Sequence, residues 1–167
     1  MNIVLFESSE VDQPLSRKDE RTQHVLKVLR RAVGDTFDVG LINGPRGKAT
    51  LDQLSDDELT LTWKWDIPHP PPPSTRMGVG FPRPQTGRDI LRDATTLGAT
   101  ELSFISTARS DPNYADSSLW TSGAWRRQVI KGAAQAFDTH LPHVCWTEKL
   151  SESLERWDAT NCRLIAL

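Results

Sequence analysis

The chain has 167 residues, 37% hydrophobic and 25% charged, a globular composition that excludes disordered and fibrous classes. No apolar run reaches the length of a bilayer span, and MNIVLFESSE has no basic stretch ahead of its short apolar run, so no secretory leader is read and a cytoplasmic setting is expected. The net charge of −2 gives no global pull on nucleic acid, yet residues 1–50 and 76–133 each hold eight Lys/Arg, whereas 51–75 holds one against five acids. Basic side chains could therefore gather on local faces.

Asn2–Phe6 reads as a first strand. Ser16 with Asp19 forms a possible capping box for a helix over Asp19–Arg31. In that helix Val25, Leu26, Val28 and Leu29 fall on one side, with Lys27, Arg30 and Arg31 towards the other or the end. Asp35–Ile42 and Lys48–Leu54 read as strands joined at Asn43-Gly44, a pair that tolerates positive φ. Glu58–Trp65 alternates Leu59, Leu61, Trp63 and Trp65 on one face, as a half-buried strand does. The sum is a small sheet or barrel with one helix, residues 1–66.

Pro68-His69-Pro70-Pro71-Pro72-Pro73 excludes helix and central strand, because proline fixes φ and donates no hydrogen bond. Residues 67–75 thus read as a stiff linker; a ligand for a proline-recognising partner is the alternative. Beyond it strands and helices alternate: strand Met77–Phe81, helix Gln85–Leu97 with Ile90, Leu91, Ala94 and Leu97 on one face and Gly98 closing it, strand Glu101–Ser106, and helix Trp125–Phe137. Strand Val144–Trp146, helix Leu150–Trp157 and strand Cys162–Leu167 follow. Such alternation implies parallel pairing, so residues 76–167 are expected to form an α/β domain. Cys145 and Cys162 read as small buried hydrophobes in a reducing compartment; a disulfide or a reactive thiol is the alternative.

Phosphate-loop and nucleophile-elbow patterns are missing. Pro142 between His140 and His143 argues against a metal pair, and no metal is expected. Three constellations could carry chemistry. His24, Lys27, Arg30 and Arg31 form either a solvated helix side or an RNA-phosphate contact. Arg83 and Arg88 flank the turn into a helix amino-terminus, an ordinary turn or a phosphate corner. Arg109, in Thr107-Ala108-Arg109-Ser110 at a strand's carboxyl end, is the candidate catalytic residue, with Arg126 and Arg127 opening the next helix; a structural ion pair is the alternative.

In this order the constellations resemble the bacterial 16S rRNA uracil-N3 methyltransferases of the SPOUT (trefoil-knot) superfamily. The likeness covers nearly the whole chain: His24-Val25-Leu26-Lys27-Val28-Leu29-Arg30 with Gly34-Asp35, then Leu97-Gly98, Arg109-Ser110, Trp125-Arg126, Ala133-Ala134-Gln135 and Pro142. The chain departs from the family at Thr96 and Ala134, where the family has Glu, and at Thr139-His140, where Arg is frequent. The resemblance implies an α+β protein, a PUA-like RNA-binding β-barrel followed by a SPOUT-type parallel-sheet domain truncated before its knot. It implies methyl transfer from S-adenosylmethionine to uracil N3, with 16S rRNA in the small ribosomal subunit as partner and a homodimer at full length. His24, Lys27, Arg30, Arg31, Arg83, Arg88, Arg126 and Arg127 would contact RNA. The family's two cofactor-holding segments do not occur here, and the resemblance places both beyond Leu167. The alternative function is a non-catalytic RNA-binding module.

Overall fold

A computed structural model describes residues 2–67, 70, 72–147 and 149–158; the expected strand Cys162–Leu167 lies outside them. The chain divides into two compact units, Met1–Pro71 with Ala133–Leu141, and Pro72–Gly132 with Pro142–Leu167.

Four strands of the first unit fall where the pattern predicts them: β1 (Val4–Phe6), β3 (Thr36–Leu41), β4 (Arg46–Leu54) and β5 (Glu58–Trp65). A fifth, β2 (Leu15–Ser16), is too short to leave a pattern. The sheet order is β1-β3-β4-β5-β2, with β1 parallel to β3 and the other pairs antiparallel. Val4 and Phe6 from one edge and Leu15 from the other share one buried cluster with Phe37, Val39, Ala49, Leu51 and Leu59. Laid flat, five strands would hold their edges roughly 19 Å apart, so a common core requires the sheet to curl. At the β3–β4 turn it is Asn43 that takes the left-handed conformation, with φ 57°.

The expected helix over Asp19–Arg31 is corrected. Asp19 itself caps α1 (Glu20–Gln23), its carboxylate accepting from the Arg21 N–H, while Ser16 Oγ accepts from Lys18. The Ser16–Asp19 capping box therefore does not form. From His24 to Val28 the turn widens to π geometry, and the Leu29 N–H reaches back five residues to the His24 carbonyl. In a wider turn the residue four positions on stays over Val25 and the residue three on swings away. Leu29 accordingly packs on the core, whereas Val28, expected on the apolar side, is 65% exposed.

Residues 133–141 join this unit across a long sequence separation. The Asn2 and Ile3 amides both donate to the Ala134 carbonyl, and the β3–β4 turn holds the same segment through Asn43 N–H to Thr139 O (2.8 Å) and Leu141 N–H to Asn43 Oδ1 (2.9 Å). Arg46 adds a hydrogen bond to the Phe137 carbonyl and stands 5.6 Å from that ring.

The second unit contains β6 (Arg76–Gly80), β7 (Glu101–Ile105) and β8 (His143–Thr147) in that order, every pair parallel. The crossovers are α2 (Pro84–Thr96) and, after the short α3 (Ser118–Thr121), α4 (Ala124–Gln135); α5 (Leu150–Asp158) follows β8. Register sets Gly78, Ser103 and Cys145 in one row and Val79, Phe104 and Trp146 in the next, on opposite faces by strand alternation. A Cβ on Gly78 would meet the Trp157 ring at 2.8 Å, so α5 covers the first face. Trp120 of α3 covers the second through Phe104, at 4.7 Å between ring centroids.

Helix α2 ends in a Schellman motif: Ala99 N–H bonds Ala94 O, Gly98 N–H bonds Thr95 O, and Gly98 takes φ 85°. Leu97, expected on the buried face, is the cap residue where the helix ends, and it is 86% exposed. At Gly132 helices α2 and α4 meet so closely that a Cβ would stand 2.3 Å from the Arg92 carbonyl oxygen. Among the described residues no helix is long and apolar enough to cross a membrane.

Candidate functional site

In an open parallel sheet the strands' carboxyl ends leave backbone groups and loops free to bind ligands. Here the Phe81 N–H continues the β6–β7 ladder to Ile105 O (2.8 Å) and the Ser106 N–H continues β7–β8 to Thr147 O (3.0 Å). Thr107–Ser110 then closes on itself: Ser110 N–H bonds Thr107 O at 3.0 Å, and the two hydroxyls lie 2.9 Å apart. Ser110 Oγ also donates to Phe81 O (3.1 Å), which ties this turn to the entry of α2. Arg109 stands exposed on that braced turn.

At the amino-terminus of α2, Arg83 is the cap residue and its Nε donates to the Tyr114 hydroxyl at 3.2 Å. Tyr114 sits in a 3-10 turn, Pro112–Tyr114, capped by the Asp111 carboxylate through the Asn113 N–H. The structure thus brings Arg83 and Arg109 onto adjoining turns. Arg88 lies one turn further along α2 and is half-buried; Arg126 and Arg127 occupy the first turn of α4. In the first unit Lys27, Arg30 and Arg31 are exposed around the π turn, whereas His24 is half-buried and its Nε2 is sealed from solvent.

Two groups escape sequence reasoning. Phe81, Phe104, Trp120, Trp125 and Trp146 form a chain of ring contacts, with Trp120–Trp146 at 6.0 Å and Trp125–Trp146 at 6.4 Å. Trp120 is 7% exposed, and its buried indole N–H has no acceptor among the described residues. Six tryptophans in one chain were the only signal.

The second group lies under α5. Glu101 Oε1 accepts from Arg156 (2.6 Å), Trp157 Nε1 (3.0 Å) and Ser103 Oγ (3.0 Å), and Arg76 Nε stands 3.4 Å from Oε2. Burial would push this carboxyl up; the hydrogen bonds from Trp157 and Ser103 and the charges of Arg156 and Arg76 outweigh it and hold the carboxyl below its ordinary value. Ligand atoms of Glu101, His143 and Cys145 all lie within 4.8 Å of one another. A cation there would have to displace the Arg156 guanidinium, which also reaches Cys145 Sγ at 3.3 Å, and would sit beside Arg76. The group is accordingly an ion-paired lock that fastens α5 to the sheet.

A family model described as an RNA methyltransferase domain matches residues 70–167. The ribosomal RNA small subunit methyltransferase E of Treponema pallidum is 33% identical over 154 residues, which is 90% of this chain and 58% of the relative. A probable rRNA-methyltransferase from Porphyromonas gingivalis has a similar structure, with TM-score 0.70 at 18% identity over 90% of this chain and 63% of that one. A ribosomal RNA small subunit methyltransferase E from Neisseria gonorrhoeae, bound to S-adenosyl methionine, matches with TM-score 0.59 at 18% identity over 86% and 62%. The chain therefore spans roughly three-fifths of the length of these relatives.

Proposed function

The chain belongs to the RNA methyltransferase domain family, and from that premise we propose that it serves S-adenosylmethionine-dependent methylation of uracil N3 in 16S rRNA of the small ribosomal subunit. The observation that carries the reading is Arg109, held on a self-bonded turn at the carboxyl end of the central parallel strand. Methylation at N3 requires loss of the N3 proton, and the negative charge then spreads onto the two flanking imide oxygens. A guanidinium presented from that braced turn would stabilise the charge by meeting the imide oxygens. The target base must leave its stack to reach such a group.

The curled sheet of the first unit serves, in this reading, as a PUA-like RNA-binding barrel, with the exposed Lys27, Arg30 and Arg31 towards phosphate, while His24, whose Nε2 is sealed from solvent, is left out of that contact. Arg83, Arg88, Arg126 and Arg127 add contacts from the second unit. S-adenosylmethionine supplies the methyl group as a sulfonium cation. The described carboxyl end is rich in guanidinium groups, which suit phosphate and repel a sulfonium, so its residues are assigned to RNA and none to the cofactor. A homodimer in the cytoplasm completes the proposal.

The test is methyl incorporation into 16S rRNA of small subunits by the full-length protein and by its Arg109→Ala variant. Loss of one preorganised charge-stabilising donor is expected to cut the rate about hundredfold at unchanged RNA affinity. An Arg109→Ala protein as active as its parent removes the residue from the chemistry. A full-length protein that binds the RNA and S-adenosylmethionine yet transfers no methyl group overturns the methyltransferase reading in favour of a non-catalytic RNA-binding module.

A further inference from the structure

Thr107, Ala108, Arg109 and Ser110 form a four-residue turn closed by the Ser110 N–H on Thr107 O, so Arg109 takes its third position and is exposed there. Two hydroxyls brace the turn. Ser110 Oγ lies 3.1 Å from Phe81 O and 2.9 Å from Thr107 Oγ1. A hydroxyl carries one proton, and a carbonyl can only accept. Ser110 therefore donates to Phe81 and must accept from Thr107. The relay has one direction, Thr107 O–H to Ser110 Oγ and Ser110 O–H to Phe81 O, and bonds in such a chain strengthen one another.

Both ends of the relay are pinned. Phe81 is 8% exposed, with its ring centroid 6.0 Å from that of Phe104 and 5.3 Å from that of Trp120. At the other end, a Cβ on Gly80 would stand 3.2 Å from Thr107 Cγ2, so the Thr107 methyl lies over the glycine that ends β6. Threonine is stiff about χ1. With its methyl seated there one rotamer is selected, the one whose hydroxyl meets Ser110. Thr107 is exposed, and an exposed hydroxyl gains little by exchanging water for a neighbour. The use of the contact lies in what it orients.

We infer that Thr107 is a positioning residue for the methyl transfer: it orients Ser110, which ties the Arg109 turn to Phe81 and so sets the backbone from which the guanidinium meets the base. The inference rests on the reading of Arg109 above and adds that its effect on rate depends on a hydroxyl two residues earlier. Without that hydroxyl the turn keeps its backbone bond but is less firmly tied to the entry of α2. A displacement of about 1 Å at a reacting group can slow a reaction by an order of magnitude or more.

Methyl transfer to 16S rRNA of small subunits by the full-length protein, at saturating S-adenosylmethionine, tests this. Thr107→Val keeps the branched shape and removes the hydroxyl; it should lower kcat about tenfold, with KM for the RNA within about twofold of the parent. Thr107→Ser keeps the hydroxyl but frees it among three rotamers, and its kcat should lie within about threefold of the parent. In an Arg109→Ala background Thr107→Val should cost nothing further, since it acts through the arginine. A kcat unchanged by Thr107→Val overturns the relay and leaves Arg109 in its role. So does an equal loss from Val and Ser, or an undiminished loss in the Arg109→Ala background, either of which makes the threonine merely structural. Should thermal melting show Thr107→Val unfolded, Ser110→Ala takes its place, with the same expected loss in the parent and none beyond Arg109→Ala. An Arg109→Ala protein as active as its parent overturns the Arg109 reading, and the relay with it.

Discussion

Glu101 has an environment that its neighbours in sequence do not imply. It opens a parallel strand, yet its carboxylate takes hydrogen bonds from Trp157, Arg156 and Ser103, with Arg76 alongside. A carboxyl held low in the folded state lends stability above its ordinary value of 4.5, and that stability disappears as pH falls through the folded value. Glu10 and Asp19 act in the same direction. The hydrogen bond from Arg21 holds Glu10 low, and at Asp19 burial works upward but the bonds from Arg21 outweigh it. Glu101→Gln is expected to lose about 1–3 kcal/mol at pH 7, with the deficit shrinking below pH 4.5 as the parent carboxylate protonates. Urea unfolding at pH 7 and pH 4 measures it, and an equal deficit at both would remove the charge from the explanation. Nothing in the sequence marks this site, because its partners are 2, 25, 55 and 56 positions away.

Helices show where local pattern suffices and where it fails. The end of α2 was legible, since Gly98 supplies the positive φ that a Schellman motif requires. The run after Asp19 was not, because alternation at helical spacing carries no sign of a π turn, and one extra residue per turn moves Val28 out to solvent. Gly132 in α4 sets two effects against each other. Alanine there would gain about 1 kcal/mol in helix propensity, but its Cβ would stand 2.3 Å from the Arg92 carbonyl oxygen and 2.8 Å from Thr95 Cβ. A backbone atom cannot rotate aside, so overpacking wins. Gly132→Ala is expected to destabilise by about 1–3 kcal/mol net, read as a lowered Tm. A Tm at or above the parent's would mean that α2 and α4 separate without penalty. Thr96 belongs to the same crossing, its hydroxyl donating to the Gly132 carbonyl at 3.2 Å.

At the scale of the molecule, a net charge of −2 requires that RNA be met by local basic faces. Lys27, Arg30 and Arg31 are exposed on one turn of the first unit, and their joint replacement by Ala should reduce the slope of log affinity against log salt. Each lost phosphate contact is worth about 0.7 in that slope for single strands, so a fall of roughly 2 is expected by anisotropy titration; an unchanged slope would place the contact elsewhere. Composition and periodicity by themselves determined four strands of the first unit, the strand–helix alternation that pairs parallel strands, and the place of Arg109 after a strand. These are readable because side-chain periods of about 2 and 3.6 residues are local properties of the backbone. Only the tertiary structure decided that residues 133–141 pack on the first unit, that α5 locks onto Glu101, and that Trp120, Trp125 and Trp146 meet at one end of the sheet. Such contacts depend on how whole elements bury their apolar faces against each other, a choice that no short window of sequence contains.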